Sequence, residues 1–167
     1  MLALNYFGSE IMNIQCKPFS ELTALQVYQM LELRSEVFVV EQNCIYQDID
    51  GKDNKPGVHH VLMTAHNRLL GYSRLLPPGL SYEAPSLGRI AIAATARRAG
   101  LGKQLLAQSV KHSQRLWPRL AITIGAQSYL VALYQQFGFE EVSAHYLEDG
   151  IEHVDMTASQ PKYKEFL

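Results

Sequence analysis

The chain is poor in cysteine: Cys16 and Cys44 are its two thiols in 167 residues. Two thiols cannot build the disulfide framework of a small secreted scaffold, so reduced thiols and a cytoplasmic location are expected. No run approaches the ~18 apolar residues that a membrane span requires, so no membrane partner is expected. The opening stretch MLALNYFGSEIMNIQC has neither a basic leader nor a long apolar core and does not read as a secretory signal. An excess of one charge is missing too. Fifteen Lys and Arg against 16 Asp and Glu leave a formal net charge of −1, which gives no electrostatic footprint for nucleic acid. The basic clusters Arg97 to Lys103 and Lys111 to Arg119 read as one local anion site and a solvated helix face. No internal repeat, low-complexity tract or long linker divides the chain.

Several motifs fail on inspection. The six histidines show no HExxH or paired Cys/His spacing, so no metal is expected. Asp48, Asp50, Gly51 and Asp53 place the glycine at the fourth position of a calcium loop rather than the sixth, and read instead as an acidic, solvated loop. The run Gly100-Leu101-Gly102-Lys103 is not a Walker loop, because Arg97 and Gln104 stand where Gly and Ser or Thr are required. Nor is it a dinucleotide fingerprint, since Leu105 follows Gly102 at three positions where that fingerprint needs a third Gly.

What is present is the composition of an ordinary globular domain, 47% hydrophobic and 19% charged. Residues 12–160 read as one domain, with 161–167 as a tail; 1–11 are an extension, or the natural start lies at Met12. Residues 12–18 form an edge strand. Leu22, Leu25, Val27, Tyr28, Leu31, Leu33 and Val37 mark an amphipathic helix capped by Ser20 and ending near Phe38 to Gln42. A hairpin follows, His59 to His66 and Leu69 to Leu76, turning at Asn67-Arg68. Leu87 to Ala93 is a strand, a helix runs from Lys103 to about Arg115, and Leu120 to Gly125 is a wholly apolar, central strand. Ser128 to Phe137 is helical, and Phe139 to Tyr146 and Val154 to Ala158 are the last strands. The fold class is mixed α/β (α+β) around one twisted sheet.

The stretch Leu87 to Gly102, LGRIAIAATARRAGLG, constrains function most. An apolar strand passes through a glycine-bearing turn into a helix, and such a junction lets successive backbone N–H groups converge on an anion. Arg97, Arg98 and Lys103 add positive charge there. A phosphate- or pyrophosphate-bearing ligand is the expectation.

Arg97-x-x-Gly100-x-Gly102, followed by a helix, a strand, Tyr134 and Phe137-Gly138-Phe139, resembles the GNAT acyl-coenzyme A transferases. A narrower likeness to the ElaA-like branch spans residues 12–158. It is carried by Leu33-Arg34-x-x-Val37-Phe38-Val39-Val40-Glu41-Gln42-x-Cys44-x-Tyr46-x-Asp48-x-Asp50-Gly51-x-Asp53, Gly88-Arg89, Ala126-Gln127 and Glu148-Asp149-Gly150-Ile151-x-His153-x-x-Met156. The resemblance implies a sheet of about six to seven strands flanked by about four helices. It also implies acetyl transfer from acetyl-CoA to a small-molecule or peptide amine by direct attack. Ile90, Ala91, Ile92, Arg97, Arg98, Ala99, Gly100, Leu101, Gly102, Lys103, Gln127 and Tyr134 would bind the coenzyme. Gln127 stands where many members carry Asn.

The reaction assigns jobs. The amine must be neutral to attack, the thioester oxygen gains charge that a backbone N–H near Ile92 could stabilise, and the leaving thiolate needs a proton, for which Tyr134 is the candidate. Glu41, Glu148 and His153 are candidate bases; Arg34, Glu41 and Asp149 are candidate acceptor contacts. Each has a plain structural alternative: Glu41 as ion-pair partner of Arg34, Glu148 and Asp149 as turn residues, His153 as a strand-end residue. Arg89 reads as structural or interface-forming. The carboxylates suggest a cationic acceptor. A non-catalytic acyl-CoA sensor and a longer-chain acyltransferase are the alternative functions, and a homodimer is an open alternative to a monomer.

Overall fold

The structure, a computed structural model, describes residues 12–167; the expected extension over 1–11 lies outside them. One mixed sheet of eight strands forms the frame, ordered β1-β2-β3-β4-β5-β8-β6, with β7 also on β8. The strands are β1 (Asn13–Pro18), β2 (His59–Ala65), β3 (Arg68–Leu76), β4 (Ser86–Ile92), β5 (Ile122–Gln127), β6 (Glu140–Glu141), β7 (Tyr146–Glu148) and β8 (Ile151–Ala158). Three α-helices cover it: α1 (Ala24–Arg34), α2 (Leu101–Leu116) and α3 (Val131–Gln136). These are three α-helices among the described residues against about four expected, and the helix expected over Ser128 to Phe137 begins as a 3-10 turn, Ser128–Leu130, before α3.

Local chemistry explains the boundaries. The first helix begins not at Ser20 but at Thr23, whose hydroxyl accepts from the Gln26 N–H at 3.2 Å while Gln26 Oε1 accepts from the Thr23 N–H at 3.0 Å. That reciprocal capping box satisfies two orphan donors at once; Ser20 falls in a preceding 3-10 turn. Beyond Arg34 the helix widens into π-helical turns over Ser35–Glu41, which carry Phe38 and Gln42 to the cavity described below. The β2–β3 turn is His66-Asn67, both left-handed (φ 48° and 60°), one residue earlier than expected.

β5 starts at Ile122 rather than Leu120, since Arg119 at φ 68° turns the chain and leaves Leu120 exposed. It is central as expected, parallel to β4 and antiparallel to β8. The single strand expected over Phe139 to Tyr146 is instead β6 and β7, interrupted where the Ser143 hydroxyl takes the Asp155 N–H at 2.9 Å. β8 starts earlier than expected because Asp149-Gly150 (φ 51° and 80°) closes a tight β7–β8 hairpin.

Two apolar clusters hold the layers together. Val61, Met63 and Ala65 of β2 pack with Leu105, Leu106 and Val110 of α2, whereas Leu62, between them, packs with Met30 and Leu33 of α1. This is the two-residue alternation of a strand buried on both faces.

Candidate active site

The sheet is split at its centre. β4 and β5 share one register pair, Ser86 with Thr123, and then separate. On its other side β4 follows β3 through a bulge: Tyr72 pairs with Ala91 and Arg74 with Gly88, so Arg89 and Ile90 of β4 face Ser73 alone on β3. Arg89 sits in that bulge with φ 53°. Past the bulge, the Ala93 N–H donates to Leu70 O at 2.9 Å. By antiparallel alternation the Ile90 and Ile92 N–H groups therefore face the split. Ala91 has its side chain under α1, in the apolar cluster with Met30 and Leu33.

The turn after β4 has the shape expected of an anion cradle. Arg98 and Gly100 are both left-handed (φ 66° and 78°), and the first α2 bonds run from the Lys103 and Gln104 N–H groups to Gly100 O. Among the described residues no acceptor takes the N–H of Arg98, Ala99, Gly100, Leu101 or Gly102. These five donors, at the positive end of a 16-residue helix, fit a pyrophosphate. Arg97 is engaged elsewhere. Both its terminal nitrogens lie 2.7 Å from the Glu41 carboxylate, and its Nε donates to Ile92 O at 3.0 Å. Lys103 lies over the Phe166 ring.

A cavity of about 650 Å³ opens at the split, lined by residues of β4, β5, α3, the β7–β8 hairpin and the loops after the π-helical turns and β3. Tyr134 reaches it from α3. Its ring packs edge-on against Phe139, its hydroxyl has no hydrogen-bond partner among the described residues, and burial pushes its pKa up to about 12. The phenol is thus a protonated, uncommitted donor at neutral pH. His153, on β8 opposite Gln127, stacks on Tyr146 and places Nδ1 2.8 Å from Ile151 O. A carbonyl only accepts, so Nδ1 carries a proton, and in the neutral ring the lone pair is on Nε2. Glu148 and Asp149 also line the cavity; the Asp149 carbonyl takes the Cys44 thiol at 3.4 Å. Gln127 holds Gln42 at 3.3 Å and accepts from Tyr129, so its amide does not cap the following helix.

Tyr82 lines the cavity, and Tyr146 shares its partner. Tyr82 and Tyr146 both donate to Asp155 Oδ1 at 2.9 Å, and Gly125 leaves them room: a Cβ there would lie 3.0 Å from the Tyr82 hydroxyl and 3.2 Å from that of Tyr146. Burial and the Asp155 carboxylate raise both phenols, Tyr146 to about 12.

Four sequence expectations are corrected here. Asp48 and Asp53 are not solvated but buried, and with Asp50 they meet three arginines. Arg34 Nε lies 2.9 Å from Asp48 and its Nη1 2.7 Å from Asp53; Arg74 bridges Asp50 (2.7 Å) and Asp53 (2.9 Å); Arg89 Nε lies 2.7 Å from Asp48. Burial would raise the Asp50 carboxyl, but the Arg74 fork overrides it and holds the pKa at about 2. Arg34, wholly buried and outside the cavity lining, is therefore neither an acceptor contact nor the partner of Glu41. Glu41 is held ionised by Arg97, outside the cavity lining, which removes it from the position of a base. Behind the network His60 donates from Nε2 to Asp53 O (3.0 Å) and accepts from Tyr72 (2.7 Å), and burial keeps it neutral. Arg74, Tyr82 and Asp155 were not singled out by the sequence; Arg74 meets Asp50 across 24 residues and Tyr82 meets Asp155 across 73.

This architecture agrees with the comparisons. The acetyltransferase (GNAT) domain family matches residues 20–160. Protein ElaA of Escherichia coli is 40% identical over 137 residues, covering 82% of this chain and 90% of that protein. Its crystal structure superposes with a TM-score of 0.84 at 37% identity, covering 89% of this chain and 99% of that one. An acyl-CoA N-acyltransferase from Pseudomonas aeruginosa superposes with a TM-score of 0.85 at 39% identity, covering 88% and 99%. The chain therefore belongs to the GNAT acetyltransferase-domain family, in its ElaA-like branch, and is an acyltransferase.

Proposed function

We propose that the protein transfers an acetyl group from acetyl-CoA directly to an amine bound in the same cavity. One observation carries the reading: the unpartnered Tyr134 hydroxyl and the basic Nε2 of His153 line a single cavity at the split between β4 and β5. Acetyl-CoA supplies the activated acyl group. The amides of Arg98 to Gly102 hold its pyrophosphate, and the Ile92 N–H faces the thioester oxygen. His153 takes the proton of the attacking amine through Nε2, with Nδ1–H fixed on Ile151 O, and Tyr134 gives its proton to the departing sulfur. Glu148 is the second candidate to draw that amine proton. Cytoplasmic location remains part of the proposal; no helix among the described residues is long and apolar enough to cross a membrane.

Direct attack requires both substrates to be present together. Initial-velocity plots against acetyl-CoA at several amine concentrations are expected to intersect. Parallel lines, with acetylated Cys44 detected by mass spectrometry, would instead establish a covalent relay and end the direct-attack reading.

A further inference from the structure

Of the carboxylates that suggested a cationic acceptor, Glu41 is taken by Arg97, while Glu148 and Asp149 line the cavity. Asp48, Asp50 and Asp53 of the acidic loop are matched by Arg34, Arg74 and Arg89. What still faces the cavity is divided by β5. On the β3–β4 side stand Arg89 and Lys52; on the β7–β8 side stand Glu148, Asp149 and the basic Nε2 of His153.

Arg89 is the informative residue. It occupies a left-handed bulge, a conformation that costs energy for any residue with a side chain and persists only where the surroundings enforce it. Its Nε is fixed on Asp48 at 2.7 Å, and its guanidinium lies over the Tyr46 ring at 5.4 Å. Nη2 is held loosely, 3.4 Å from Asp48 O and 3.6 Å from Asp50, and Nη1 has no acceptor among the described residues. The side chain is 24% exposed and lines the cavity. A guanidinium clamped at Nε, with Nη1 open and Nη2 only loosely held, presents its outer edge to a carboxylate. Lys52, tethered to Ser81 Oγ at 2.7 Å, brings a second cation to the same lining.

We propose that the acceptor is an amine that also bears a carboxylate, a free amino acid or close relative, with Arg89 holding the carboxylate while the amine lies at His153. The inference rests on the acyl-transfer reading and names its substrate class.

The test is thiol release from acetyl-CoA with free amino acids, each alongside its methyl ester and its decarboxylated amine, and with spermidine as a purely cationic acceptor. For the best amino acid, kcat/KM is expected to exceed that of its ester and its amine by at least about tenfold, the scale of a charge-assisted hydrogen bond. In Arg89→Met the acid-to-ester ratio is expected to fall toward one, a readout that simple loss of folded protein would not move. Equal or better turnover of the ester, the amine or spermidine overturns the proposal and leaves acyl transfer intact. If no amine is turned over, calorimetry decides it: CoA-loaded protein should bind the N-acetyl amino acids at least about tenfold more tightly than their methyl esters. Equal or absent binding overturns it, whereas carboxylate-dependent binding upholds it and places the failure in the transfer reading.

Discussion

Replacing Tyr134 with Phe is expected to lower kcat by about 100-fold or more, while the affinity for acetyl-CoA changes by less than about twofold. The ring is a buried part of the core, so Phe preserves its packing against Phe139. The hydroxyl makes no hydrogen bond within the described residues, so removing it breaks no internal contact. What is lost is an uncommitted phenol proton facing the cavity, on a group whose pKa of about 12 keeps it protonated throughout the working range. Titration calorimetry with acetyl-CoA and steady-state kinetics separate the two effects. An unchanged kcat with a good acceptor would remove Tyr134 as the acid.

Replacing Arg34 with Met is expected to destabilise the fold by roughly 3–5 kcal/mol, a large share of the ~5–15 kcal/mol that holds a typical domain. Arg34 is 0% exposed and donates to Asp48, to Asp53 and to the Asp48 carbonyl. Its loss leaves two buried carboxylates with less than their full complement of donors, and Asp53 already has one oxygen without a partner among the described residues. A fall in melting temperature on the order of 10 °C follows for a chain of this size. A change within ~1 kcal/mol would show the network to be solvated after all. The pH dependence has a definite sign. Asp50 titrates near 2 in the folded protein, below its usual value of 3.8, so its contribution is complete above about pH 4–5 and disappears as pH falls toward 2. Arg34→Met starts from a lower stability, so the same acid-linked loss is expected to unfold it at higher pH than the parent.

The parts of the site written in contiguous sequence were legible in it. The turn Arg98 to Gly102 announces itself because its glycines, its charges and the following helix are neighbours in the chain. Tyr134 and Phe137-Gly138-Phe139 lie within six residues of one another. The ionic network was not legible. Arg34 meets Asp48 across 14 residues, Arg89 meets it across 41 and Arg97 meets Glu41 across 56, and local composition alone gives the acidic loop a solvated reading. Arg89 was hidden for a second reason. Its direction depends on a bulge, and one extra residue in a strand reverses which face a side chain takes. Helix starts were misplaced where two capping residues competed, as Ser20 and Thr23 did, because only the reciprocal bond with Gln26 decides between them.

The most direct test of the account is release of free thiol from acetyl-CoA by the purified protein, measured with and without an amine acceptor. The account predicts release that depends on the amine, rises with the fraction of neutral amine and yields the N-acetylated product in equal amount. Tight binding of acetyl-CoA with no amine-dependent release across a broad panel of amines would contradict it.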